Sequence, residues 1–181
     1  MKQVTSFAGA ASQTRTIGNG PREGETVPVE TPTTIHAVLK FESGAIITLL
    51  SSWDVWAHEH PIMELYGSAG TMSLPDPNFF GGDVQVTPKG ADPAKHIWDH
   101  PFGVVNFEGV HANYRGAGLA DMALAISEGR EHRCNDTFAT HVVEVMTAIL
   151  EADALGQVLT MTTTCKRPDV LGPSEATGLL A

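Results

Sequence analysis

Cysteine is nearly absent: Cys134 and Cys165 are the only two in 181 residues. Two thiols cannot build the dense framework of a small secreted domain, and neither has a cysteine neighbour at metal-ligand spacing. Reduced thiols in a cytoplasmic setting are the expectation. Positive charge is also scarce, with 11 Lys and Arg against 21 Asp and Glu and a net charge of −10. A chain this acidic repels phosphate backbones and anionic lipid, which excludes non-specific nucleic-acid and membrane binding. Long apolar runs are missing as well. The most apolar stretch, Ala45–Leu50, falls far short of the roughly 20 residues that cross a bilayer. Lys2 is followed by Val4–Ala11, but Thr5, Ser6 and Gly9 interrupt that stretch, so it reads as a strand and not as a signal peptide.

What is present suits one globular domain over 1–181, with 42% hydrophobic and 18% charged residues. Up to about residue 90 the pattern is that of sheet: short segments rich in Val, Ile, Thr and Leu between Gly, Pro, Asn and Asp. The expected strands are Val4–Ala8, Thr26–Val29, Thr34–Phe41, Ala45–Trp53, Ile62–Tyr66, Thr71–Leu74 and Val84–Thr87. Glu42-Ser43-Gly44 and Gly67-Ser68-Ala69-Gly70 are turns too short for a parallel crossover, so the strands they join run antiparallel. Residues 87–111 have weak periodicity and read as a long surface excursion.

From residue 112 to 155 the period lengthens to 3.6. Leu119, Met122, Ala123 and Ile126 share one helical face that stops at Gly129. Asp136 is placed to cap a second helix with the stripe Ala139, Val142, Val143, Met146, Ile149 and Leu150, ending at Gly156. A last strand is expected over 157–163 and a loop tail over 168–181. Strands first and helices later predict an α+β fold: an open, mostly antiparallel sheet with helices on one face. The second face of such a sheet must meet solvent or a partner.

Few motifs carry chemistry. A dinucleotide site needs a glycine-rich turn between a buried strand and a helix, so that the pyrophosphate meets backbone amides. Gly116-Ala117-Gly118-Leu119-Ala120-Asp121 resembles the first part of that fingerprint, but Asp121 stands where a third glycine or alanine belongs and Val110–Arg115 is not a buried strand. Neither a phosphate-binding loop nor a nucleophile elbow occurs. His58-Glu59-His60 and the pair His96 and His100 around Asp99 are short of the three or four convergent ligands a metal needs, so no metal is expected. The same histidines are candidates for a polar pocket.

Trp53-Asp54-Val55-Trp56-Ala57-His58 is more informative, because a strongly apolar strand ends there in two indoles, a carboxylate and an imidazole. Such strand ends line binding clefts where tryptophan stacks on a sugar or similar ring, or else the indoles cap the core. Tyr114 and Arg115 open the first helix, where a phenol and a guanidinium would meet a polyol or carboxylate, the alternative being a surface salt bridge. His141 lies among apolar residues of the second helix, where a satisfied structural histidine is the ordinary reading.

Several stretches together carry a family resemblance: Glu30-Thr31-Pro32-Thr33 leading to Ala37–Ala45, Glu64–Met72, Gly118–Ala123 with Ala125-Ile126, Gly129–Arg133, and His141–Met146. In order and spacing the chain resembles the C-terminal domain of the glucose-fructose oxidoreductase, inositol dehydrogenase and MocA-type family of NAD(P)-dependent oxidoreductases. The resemblance implies an open antiparallel sheet whose exposed face makes a homo-oligomer, dimer or tetramer. It also implies a Rossmann domain, in cis or in trans, that holds NAD or NADP, with a sugar, polyol or related metabolite between the two. Hydride transfer at a hydroxyl-bearing carbon follows from it. The family's cofactor fingerprint, its lysine motif and its Asp-x-x-x-His pair match no positions of this sequence, so catalytic and cofactor-binding residues are expected outside it. What maps here is the substrate side: Trp53, Asp54, Trp56, His58, Tyr114, Arg115 and His141. Two function classes follow, the substrate-binding half of a dehydrogenase that is inactive by itself, and a non-catalytic binding or dimerisation module that lost its cofactor domain.

Overall fold

The structure is a computed structural model and describes residues 1–96 and 99–180. Strands β1 (Gln3–Gly9), β2 (Thr14–Thr16), β3 (Thr26–Pro28), β4 (Thr34–Lys40), β5 (Ile46–Ser52), β6 (Met63–Gly67), β7 (Gly70–Leu74), β8 (Val84–Pro88) and β9 (Ala94–His96) come first. A 3-10 turn (Pro101–Gly103), helices α1 (Ala117–Glu128) and α2 (Asp136–Leu155), strand β10 (Leu159–Thr160) and helix α3 (Pro173–Leu180) follow. The fold is α+β, and the strand pairings among the described residues are antiparallel. The chain divides into two compact units, Met1–His58 with Asp136–Lys166, and Glu59–Asn135 with Arg167–Ala181.

In the first unit a sheet of order β10-β1-β4-β5 is packed by α2, and β2 and β3 form a separate ribbon. Alternation decides which side chains meet the helix. Val4 pairs with Leu39 and Ser6 with Ala37, and these four are buried beside Ala148 and Ile149 of α2. Burial of Leu39 and Ile149 contributes about 2 kcal/mol each. The buried Ser6 hydroxyl donates to the Ile149 carbonyl, so the polar atom in this core is satisfied. The opposite face carries Phe7, His36, Val38, Ile46 and Leu50 into the open, with Phe7 80% and Ile46 67% exposed. The β4–β5 hairpin closes as the sequence predicts, the Phe41 amide donating to Ala45 and Gly44 adopting φ 90.

Helix α2 starts and stops where expected, with Gly156 at φ 62 beyond its end. Its buried face meets the predicted stripe only at Ile149: His141, Ala148 and Ala152 are buried with it, whereas Val142, Val143, Met146 and Leu150 are exposed. Small side chains at 148 and 152 let the helix approach the sheet closely, and that packing outweighs the larger apolar area of the other stripe. Strand Thr14–Thr16, too short and polar to stand out by pattern, is held by pairing with β3.

The second unit holds a meander of order β6-β7-β8-β9 with α1, α3 and the 3-10 turn. Again the predicted helix face is not the buried one. Leu119 and Ile126 of α1 are exposed, while Asp121 and Ala125 are buried. The reason is electrostatic. Asp121 accepts from the Arg133 amide at 2.8 Å and from the guanidiniums of Arg133 at 2.5 Å and Arg130 at 3.0 Å. A carboxylate so matched turns inward and takes the helix with it. Burial pushes its carboxyl up, but the Arg133 amide and the two guanidiniums more than reverse this and hold it below the ordinary range. Arg133 also pairs with Glu175 at 3.1 Å, which ties in α3. The tail expected as loop therefore contains a helix over Pro173–Leu180, begun by a proline and a first-turn glutamate and anchored by the buried Ala176; Ala181 lies outside the described residues. The stretch 87–111, of which residues 97 and 98 lie outside the described residues, is anchored by Phe102, 3% exposed and stacked on Tyr114 at 4.9 Å.

The β6–β7 turn allows one substitution test. A Cβ built on Gly70 would lie 2.3 Å from the Thr87 carbonyl oxygen of β8, which no side chain tolerates. Gly70→Ala is expected to lose about 2 kcal/mol of stability in urea unfolding, with Gly90→Ala, where a Cβ meets open space, losing less.

Candidate functional site

Residues 53–58 leave the end of β5. The two indoles do not cap a core: Trp53 is 80% and Trp56 102% exposed. Between them Asp54 is spoken for. It accepts from the hydroxyls of Thr33 at 2.6 Å and Thr34 at 2.8 Å, from the Ala11 amide at 3.3 Å, and from Arg15 at 2.5 Å, while Arg15 also holds the Trp53 carbonyl at 3.0 Å. The Thr33 and Thr34 hydroxyls hold its carboxyl below the ordinary range. The carboxylate thus clamps the strand end on which the tryptophans are displayed. His58, the last residue of the unit's first segment, is exposed.

Tyr114 and Arg115 lie in the second unit, ahead of α1. The Tyr114 phenol donates to the Val104 carbonyl at 2.9 Å and its ring packs on Phe102 and Phe80, so the side chain is fixed. Among the described residues Arg115 makes no salt bridge; it donates to Asn78 Oδ1 at 2.7 Å. Beside them the same unit contains an open cleft of about 780 Å³ lined among others by Phe79, Lys95, His96, Asp99, His100 and His111. The histidines that the sequence singled out as pocket candidates, His96 and His100, are brought together there with His111, which spacing alone does not link to them. His111 stacks on Phe79 at 3.9 Å. Among the described residues no group of three or more His, Cys, Asp or Glu is arranged to hold a metal ion.

The described residues do not fit a dinucleotide. No strand runs into α1, since residues 112–116 are coil and turn, and its N-terminal Gly116 lies at φ −76 with no side-chain cap. The first turn of α2 carries Asp136, whose charge opposes a pyrophosphate. No helix among the described residues is long and apolar enough to cross a membrane.

The family model described as the GFO/IDH/MocA C-terminal domain matches residues 1–73. That segment resembles the C-terminal domain of the GFO/IDH/MocA family. The fold is similar to that of levoglucosan dehydrogenase in its apo form, with 16% identity and a TM-score of 0.70 over 91% of this chain and 46% of that one. It is similar as well to an NAD binding oxidoreductase from Klebsiella pneumoniae, at 18% identity and TM-score 0.65 over 90% of this chain and 46% of that one. Aldose-aldose oxidoreductase from Caulobacter crescentus gives 19% identity and TM-score 0.58 over 88% and 41%. The chain thus spans less than half the length of these neighbours. No curated protein matches it.

The stretch His141–Met146 lies on α2. His141 is buried, its Nδ1 2.8 Å from the Thr163 hydroxyl and its Nε2 3.2 Å from the Met1 amino group. Three residues on, Glu144 was not visible as special in the sequence. It accepts from the amide and hydroxyl of Thr162 at 2.7 and 2.6 Å and from the amide and hydroxyl of Thr163, fastening the segment after β10 to α2. A carboxylate followed 18 and 19 residues later by paired threonines is a signal too weak to read without the fold. The Thr162 and Thr163 hydroxyls, with the two amides, hold its carboxyl at about 2 against an ordinary 4.5. Because the folded value is the lower one, ionised Glu144 contributes its full stability above pH 4.5 and loses it as pH falls towards about 2. Urea midpoints of the parent and of Glu144→Gln are expected to differ by a constant amount above that window and to converge below it; a difference that stays constant through the window would contradict this.

Proposed function

We propose that this chain is the substrate-binding and oligomerising half of an NAD(P)-dependent oxidoreductase that acts on a sugar, polyol or related metabolite. The observation that carries the reading is the fold likeness over 91% of the chain to levoglucosan dehydrogenase, a protein of about twice its length, alongside the family match at residues 1–73. In this reading a Rossmann domain, in cis or in trans, holds NAD or NADP and supplies the base, since the described residues offer no dinucleotide cradle. The chain's own part is to bind and orient. Exposed Trp53 and Trp56 present faces for the apolar side of a sugar ring, and Asp54 holds the strand end on which they sit. Within the second unit, Tyr114 and Arg115, fixed through Val104 and Asn78, are candidates to meet a polyol or carboxylate; His58 and His141 are further candidates in the first.

The test separates binding from chemistry. Titration of the purified chain with a panel of sugars and polyols is expected to change its tryptophan fluorescence saturably, with a weakening of about tenfold in Trp53→Ala. No member of the panel is expected to reduce NAD or NADP. Turnover by the chain alone would overturn the placing of the chemistry elsewhere. Absence of any binding would favour the second reading, a dimerisation module.

Oligomerisation is assigned to the open face of the first unit's sheet. Phe7, Val38, Ile46 and Leu50 are exposed together on that face, and apolar side chains so displayed suit an association surface. Sedimentation is expected to show a dimer or tetramer for the parent and a monomer for Ile46→Glu; a parent that is already monomeric at micromolar concentration would refute the assignment.

A further inference from the structure

The cleft of the second unit has a charge balance that selects among ligands. Three carboxylates line it, Asp76, Asp83 and Asp99, against one cation, Lys95. Lys95 is already neutralised by Asp83 at 2.5 Å. Asp76 uses one oxygen to accept from the Asn78 amide at 2.9 Å, and among the described residues neither it nor Asp99 has a cationic partner. Arg115, the guanidinium nearest in sequence to the cleft wall, is directed at Asn78 Oδ1.

The walls supply the rest of a small-molecule site. The Phe79 and His111 rings lie parallel, 3.9 Å apart and within 8°, and both line the cleft, where ring surface suits the C–H side of a ligand. Gly81 keeps the cleft floor thin: a Cβ there would stand 3.1 Å from both the Ala112 side chain and the Gly103 carbonyl. A volume of about 780 Å³ is in the range of ligand pockets. A site with two uncompensated carboxylates attracts a cation and repels an anion of the same shape.

We propose that this cleft binds a small hydroxylated ammonium compound, an aminopolyol or amino sugar, in preference to its neutral and anionic counterparts. The proposal goes beyond the oxidoreductase reading and does not rest on it, since the cleft lies within one compact unit and needs no nucleotide. The test is calorimetric titration of the full chain, without NAD or NADP, with three probes of one carbon skeleton: glucamine, sorbitol and gluconate. Near neutral pH the glucamine amine is protonated. Glucamine is expected to bind about tenfold more tightly than gluconate and several-fold more tightly than sorbitol, with the difference shrinking as salt is raised. In the double variant Asp76→Asn with Asp99→Asn the preference for glucamine over sorbitol is expected to disappear, with circular dichroism confirming an unchanged fold. It is expected to persist in Trp53→Ala, which separates this cleft from the strand-end site. Equal binding of the three probes, tighter binding of gluconate, absence of saturable glucamine binding, or a preference retained in the double variant would each overturn the proposal.

Discussion

Helix α2 lies against β1, and its Ala148 and Ile149 share one buried cluster with Val4, Ala37 and Leu39; the first unit's organisation follows from that contact. The helix takes one face of the sheet, so Val4, Ser6, Ala37 and Leu39 turn inward, and strand alternation then forces Phe7, His36, Val38 and Leu50 outward. The same geometry sends the end of β5 away from the core, where Trp53 and Trp56 stand in the open. An apolar outer face and a displayed pair of indoles are therefore two consequences of a single packing choice. The Glu144 clamp on Thr162 and Thr163 secures the far end of that arrangement.

The second unit is organised by a charge. Asp121 is buried on α1, and Arg130 and Arg133 come to it from the segment that follows the helix, while Arg133 reaches on to Glu175 of α3. Removing a carboxylate from water is costly unless opposite charge and hydrogen bonds meet it, so three elements are drawn to one point. In this way a helix start, a basic loop and the tail share one anchor. The aromatic cluster of Phe80, Phe102 and Tyr114 plays the corresponding apolar part and shapes the region beside the cleft.

Hairpins, helix limits and fold class were legible because they depend on local rules. Gly44 and Gly70 sit where a turn or a close backbone approach demands glycine, and Gly129 and Gly156 stop the helices at φ 67 and 62. Helix faces were not legible. In α1 and α2 two stripes compete, and the winner was set by how closely alanines let the helix approach and by the ion pairs of Asp121. Of the site residues, the exposure of Trp53 and Trp56 follows from their position past a strand end, but the commitment of Asp54 to Thr33, Thr34 and Arg15 depends on partners 21, 20 and 39 residues away.

By itself the sequence determined an acidic α+β chain with antiparallel pairing, two main helices of stated length, and stretches that resemble the GFO/IDH/MocA C-terminal domain. Each of these is written in short-range periodicity, turn chemistry or composition. Only the tertiary structure decided which helix faces are buried, that the tail closes as a helix on Arg133, and that His96, Asp99, His100 and His111 surround one cleft with Phe79. Those outcomes depend on packing distance and on charge pairing between residues remote in the chain, and neither quantity exists until the chain has folded.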